Sequence, residues 1–194
     1  MQAKQHSIMI VSRNPKMIEF LKSAMPPDRF HPILVVTNAG EARRIILRSP
    51  YDIILIDTPL PDEFGTKLAL DLSDECAVAV IVKPELIDRA SYKLEKYGIV
   101  TLPRTLYKSV LYQTLILLGI SVSKRKQLSE EKESLKSRLS EIKALTRAKA
   151  LLISKKHMTE QEAHRYIEKM AMDKCIKKAE AVALIINELS DDFN

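Results

Sequence analysis

The hydrophobic rhythm of the chain changes twice. Between residues 7 and 104, short apolar runs recur among amphipathic segments: Ile8-Met9-Ile10-Val11, Ile33-Leu34-Val35-Val36, Ile53-Ile54-Leu55-Ile56, Val78-Ala79-Val80-Ile81-Val82 and Ile99-Val100-Thr101-Leu102. Each run has four or five residues and is rich in β-branched side chains, as expected of parallel strands buried on both faces. The intervening segments 15–24, 38–48, 65–72 and 84–97 read as helices. Asn38 suits an N-cap, and Pro15 and Pro84 suit a first helical turn. Strict alternation of strand and helix predicts a doubly wound, five-stranded parallel sheet of the flavodoxin-like kind.

After Pro103 the rhythm becomes helical. Residues 105–155 contain no proline, and their only glycine is Gly119. A helix over 105–119 is expected to close the sheet domain and to run on as one long helix. Leu128, Leu135 and Ile142 are spaced by seven, with Leu118, Leu139 and Thr146 on the adjoining positions. Together they predict a short coiled-coil seam and a homodimer, interrupted by Arg125 and Lys132. Residues 123–143 are too polar to pack along more than a narrow stripe. The alternative is an amphipathic helix folded against its own domain. The rhythm changes again at His157-Met158, which breaks the helix, and Thr159 with Glu162 forms a capping box for a helix over 160–172. A turn near Cys175 and Ile176 leads to a last helix over 178–189, and residues 190–194 are expected to fray. The predicted class is α/β plus all-α: a sheet domain at 1–120, a coiled-coil helix at 121–143 and a three-helix module at 144–194.

Charge sharpens this picture. The 194 residues carry a net charge of +6. Residues 123–156 alone hold 11 Lys/Arg against 4 Glu, an excess of 11 − 4 = +7. The basic charge is thus gathered at the end of the long helix and the start of the last module. The run Arg147, Lys149, Lys155 and Lys156 there suits a phosphate backbone, although a solvated helix face has the same composition. In the module, Ala144, Ala148, Ala163, Ala171, Ala179 and Ala183 read as close-packing positions. Leu152, Met158, Ile167, Met172, Val182 and Ile186 read as core, His164 as a surface residue, and Tyr166 as either half-buried packing or a platform for an unpaired base. A Ser-His-Asp set, a Gly-rich phosphate loop and a metal cluster are all missing from the sequence, so no enzyme activity, metal or cofactor is expected. Cys76 and Cys175 share no metal spacing and read as reduced thiols. With no signal sequence or membrane span in view, a cytoplasmic location is expected.

Residues 5–120 resemble the receiver domain of two-component response regulators. The most specific piece is Ile53-Ile54-Leu55-Ile56-Asp57-Thr58-Pro59-Leu60-Pro61-Asp62-Glu63-Phe64-Gly65. In that family the aspartate ending the third strand accepts a phosphoryl group in a phosphorelay, which makes Asp57 the phospho-acceptor position. The family holds a magnesium ion with two acidic residues after the first strand, and here Ser12 and Arg13 stand there. Its hydroxyl residue after strand four corresponds to Val82. Its lysine before a proline after strand five corresponds to Leu102, while Lys83-Pro84 carries that pair after the wrong strand. The resemblance implies a receiver with a degenerate site, kept as a dimerisation or docking platform, with Arg13 expected beside Asp57. A divergent site that still takes phosphate is the competing reading.

Residues 144–187 resemble an ANTAR domain, the RNA-binding module of antitermination regulators. The match runs through Ala148-Lys149, Leu152, Met158, Thr159-Glu160, Glu162-Ala163-His164-Arg165, Ile167, Lys169, Ala171-Met172-Asp173-Lys174 and Ala179-Glu180. Ala150 stands where many members have glycine. Lys174-Cys175-Ile176-Lys177-Lys178 replaces a turn that is often arginine-rich, so contacts needing the planar guanidinium fork are lost. The resemblance implies that dimers bind paired RNA stem-loops in nascent leader transcripts and keep a terminator from forming. The RNA-binding candidates are Arg147, Lys149, Lys155, Lys156, Arg165, Lys169, Lys174, Lys177 and Lys178. A sensor or other regulatory protein is a further expected partner. The alternatives are a DNA-binding response regulator, an RNA binder gated by phosphorylation, and a coiled-coil scaffold without nucleic acid.

Overall fold

The computed structural model describes residues 5–190. Residues 191–194, most of the tail expected to fray, lie outside the described residues, and Ser190 ends the last helix. The order is β1 (His6–Val11), α1 (Pro15–Ser23), β2 (Phe30–Val36), α2 (Ala39–Ile46), β3 (Ile53–Asp57), α3 (Thr66–Leu72), β4 (Ala77–Val82), α4 (Ile87–Leu94), β5 (Val100–Pro103), α5 (Lys108–Lys156), α6 (Glu160–Asp173) and α7 (Lys178–Ser190). The chain folds into two units, residues 1–126 and 127–194, and the division falls inside α5.

In the first unit the five strands pair in parallel in the order β2-β1-β3-β4-β5. This is the doubly wound sheet that the apolar runs predict. Alternation along each strand sends side chains to two separate cores. Met9, Val11, Ile54, Ile56, Val78 and Val80 pack under α2, α3 and α4. Ile8, Ile10, Ile53, Leu55, Ala79 and Ile81 pack against α1 and the first part of α5. Asn14 caps α1 through the amides of Lys16 and Met17, and Asn38 caps α2 through that of Glu41. The helix expected over 84–97 is shorter. It is bracketed by 3-10 turns at Pro84–Leu86 and Glu95–Tyr97 and ends on Gly98 at a φ of 70°.

The long helix forms without a break, but two positions counted along the expected seam are engaged elsewhere. Leu118, three residues after Leu115 and seven after Leu111, continues their stripe into the sheet core, where it is buried. Arg125 donates to the carbonyls of Ser73, Asp74 and Cys76. Both residues are therefore taken up by the first unit. Leu128, Leu135, Leu139 and Ile142 remain as an exposed apolar stripe, each more than half exposed.

In the second unit Ala148 and Leu152 of α5, Ala163 and Ile167 of α6, and Val182, Ile185 and Leu189 of α7 form one small core. Three expected packing positions are displaced by one or two residues. Ala181 is buried while Ala179 and Ala183 are exposed, because α7 presents 181, 182, 185 and 189 at helical spacing. Met172 is 77% exposed, and Met170 packs on the core in its stead. No helix among the described residues is long and apolar enough to cross a membrane.

Candidate phospho-acceptor site and nucleic-acid interface

Asp57 ends β3 at the carboxyl edge of the sheet, where an open α/β sheet places its ligands. Its side chain is only 4% exposed, so a carboxylate there needs partners. Two side chains supply them. The Ser12 hydroxyl donates to Oδ2 at 2.8 Å and in turn accepts the Asn14 amide at 3.1 Å. Arg104 Nη2 donates to Oδ1 at 2.7 Å and also to the Thr58 carbonyl. Arg104 is set in place by backbone pairing, since its amide donates to the Val82 carbonyl at 2.7 Å. Thr58 is held by its own amide and hydroxyl, both donated to the Ile81 carbonyl.

Arg13, expected beside Asp57, is exposed; the cation that balances the carboxylate is Arg104. Both residues lie past the end of β1, where Ser12 is buried against Asp57 and Arg13 sits in the exposed turn that leads to α1. Val82 and Leu102 are buried in the two cores, and Lys83 is exposed with no hydrogen bond to Asp57. The magnesium ion of the receiver family does not fit this donor set. One guanidinium nitrogen already takes up Asp57 Oδ1 and the Thr58 carbonyl, and Ser12 and Arg13 offer no carboxylate. Among the described residues no three His, Cys, Asp or Glu side chains converge as metal ligands.

The basic module sorts its cations into two sets. Lys149 pairs with Glu160 at 3.2 Å, and Lys178 pairs with Glu168 at 3.1 Å. His164 lies at the same distance from Glu168, and Lys178 with His164 holds that carboxyl below its usual range. Lys156 donates to the Tyr166 hydroxyl at 3.1 Å and sits 4.8 Å from the ring centroid, which raises the ammonium pKa. These contacts join α5 to α6 and α6 to α7. Arg147, Lys169, Lys174 and Lys177 are exposed and form no ion pair among the described residues. Arg165, exposed beside Glu162, shares the face of α6 that carries Lys169 four residues on, and Lys155 is exposed near the end of α5. The capping box forms as expected: the Thr159 hydroxyl accepts the Glu162 amide, the Glu162 carboxylate accepts the Thr159 amide, and its pKa falls accordingly.

Comparison with known proteins finds a likeness for each unit. Residues 133–186 match the family model described as ANTAR domain. The first unit is similar to the response regulatory domain of protein mrkE from Klebsiella pneumoniae, at a TM-score of 0.54 and 14% identity, covering 61% of this chain and 98% of that one. It is also similar to the signal receiver domain of an HD domain-containing protein from Pseudomonas fluorescens Pf-5, at a TM-score of 0.57 and 14% identity, covering 66% and 96%. A third likeness is to a two component transcriptional regulator AraC from Clostridium phytofermentans ISDg, at a TM-score of 0.52 and 20% identity, covering 64% and 99%. No curated protein matches the sequence. The chain thus joins a sheet unit with the fold of these receiver domains to a helical segment that matches the ANTAR domain model.

Proposed function

We propose that the protein is a cytoplasmic transcription antitermination regulator that binds stem-loop RNA in nascent leader transcripts and keeps a terminator hairpin from forming. The observation that carries this reading is the ANTAR match over a compact three-helix unit with exposed cations that form no ion pair among the described residues. No bond is made or broken. The switch is competition between RNA folds, in which binding to one hairpin need outweigh the terminator by only about 3 kcal/mol. Arg147, Lys169, Lys174 and Lys177 are the leading phosphate contacts, with Arg165 and Lys155 beside them. Lys149, Lys156 and Lys178 act first by holding the helices together. The exposed stripe from Leu128 to Ile142 supports a parallel dimer, which would present two modules to a paired stem-loop.

The receiver unit serves as an input or dimerisation platform without phosphoryl transfer. Arg104 and Ser12 take up both Asp57 oxygens, which supports this part of the reading. Sequencing of RNA crosslinked to the protein in its host tests the function. Enrichment of leader hairpins upstream of terminators is the expected result, and a random RNA pool contradicts it. Incubation with a small phosphodonor and Mg²⁺ tests the platform: no change in mass is expected, and a phosphoryl adduct that disappears in Asp57→Ala overturns it.

A further inference from the structure

A groove of about 450 Å³ lies between α3 and α4 on the receiver unit, away from Asp57's hydrogen bonds. Phe64, Leu70, Leu86 and Leu94 give it an apolar lining, and Arg89 and Lys93 stand along it. Phe64 is 45% and Leu70 38% exposed. Large apolar side chains gathered open in one groove mark an interaction surface in a way that scattered ones do not. Arg89 and Lys93 are four residues apart on α4 and so share a side of that helix. Neither forms an ion pair among the described residues. By contrast, Arg43 of α2 is closed internally, paired to Glu63 at 2.9 Å and to Asp71 of α3 at 2.8 Å. The two groove cations are left for a partner.

We propose that this groove docks an acidic amphipathic segment of another protein, with its apolar side chains against Phe64 and Leu70 and its carboxylates facing Arg89 and Lys93. Two cations beside an apolar lining offer too few phosphate contacts for a nucleic-acid site. The groove also reaches the loop that follows Asp57. Phe64 precedes Gly65, whose φ is 99° and whose Cβ, if present, would lie 2.9 Å from Ile56 and 3.1 Å from Thr58. The segment carrying Phe64 is therefore packed directly on the strand end that bears Asp57. A docked partner would act on that loop by packing. This inference is independent of RNA binding by the second unit.

The test uses the full chain and two fluorescein-labelled helical peptides of equal length, each with one leucine stripe, flanked by glutamates in one and lysines in the other. Fluorescence anisotropy should show binding of the glutamate peptide, with the lysine peptide at least about tenfold weaker. Arg89→Glu/Lys93→Glu should reverse that preference, and Phe64→Ser should weaken the glutamate peptide about tenfold. Retained circular dichroism and an unchanged thermal melt in each variant show that the chain is folded. Absence of glutamate-peptide binding at millimolar concentration, or equal binding by the wild-type and charge-reversed chains, overturns the proposal. So does displacement of the peptide by hairpin RNA, which assigns the groove to nucleic acid. A fall in sedimenting mass for Arg89→Glu/Lys93→Glu assigns the groove to a second copy of the chain and equally overturns it.

Discussion

Arg104 holds the charge balance at the carboxyl edge of the sheet, 2.7 Å from Asp57 Oδ1. Asp57 was legible because the run Ile53–Asp57 and the Leu60-Pro61-Asp62 turn fix both the strand end and the loop. Arg104 was not, because a cation next to Ser12 in sequence looked closer to Asp57 than one lying 47 residues beyond it. The usable signal was topological: β3 and β5 flank β4, so residues just past the end of β5 come to the same edge as Asp57. Removing the guanidinium strands a nearly buried carboxylate. Arg104→Ala should therefore lower unfolding free energy by about 2–3 kcal/mol in urea titrations, with much of the loss recovered in Arg104→Ala/Asp57→Asn. Equal stability of Arg104→Ala and wild type would show that the pair is not structural.

At the scale of elements, the strands, the span of α5 and the last two helices were readable from period and capping, whereas the point at which α5 leaves the sheet was not. Leu118 fits both the heptad of the seam and the stripe of Leu111 and Leu115, and only the sheet beneath it decides between them. Polar contacts fasten α5 at the other edge of the sheet. Burial pushes the Asp52 carboxyl up, but Lys126, the Ser7 amide and His6 outweigh it and hold its pKa below the ordinary 3.8. The stability so gained is fully present above pH 3.8 and is lost as pH falls through the depressed folded value. Asp52→Asn should cost about 1–2 kcal/mol at neutral pH and should flatten the acid limb of the stability curve, measured by thermal melts from pH 2 to 7. An unchanged acid limb contradicts the assignment. Helix α6 ends in a Schellman turn, with the Cys175 amide donating to Met172 and the Ile176 amide to Ala171, and Cys175 at a φ of 51°. Glycine accepts that conformation without a Cβ penalty. Cys175→Gly should thus raise stability by about 0.5–1 kcal/mol, read as a higher melting temperature of the second unit. A lower one would mean that the thiol packs in a way the backbone does not reveal.

On the scale of the whole molecule, the sequence already separates a sheet unit from a basic helical unit, because apolar period and local charge change together between residues 105 and 125. It could not say which cations face outward. That depends on Glu160, Glu168 and Tyr166 arriving from other helices to occupy Lys149, Lys178 and Lys156. The exposed stripe of Leu128, Leu135, Leu139 and Ile142 predicts that Leu135→Lys/Leu139→Glu turns a dimer into a monomer in sedimentation equilibrium without loss of helicity. A wild-type chain that is already monomeric at tens of micromolar would remove the seam from the account. The most direct test is the affinity of the full chain for a paired stem-loop RNA, measured from 50 to 300 mM salt beside duplex DNA of equal length. Tighter binding of the RNA is predicted, with a log–log salt slope near −3 for about four phosphate contacts. Lys169→Glu/Lys174→Glu should abolish much of that slope, while Lys149→Gln should act mainly on stability. Preference for the duplex DNA, or a slope unchanged by Lys169→Glu/Lys174→Glu, would contradict it.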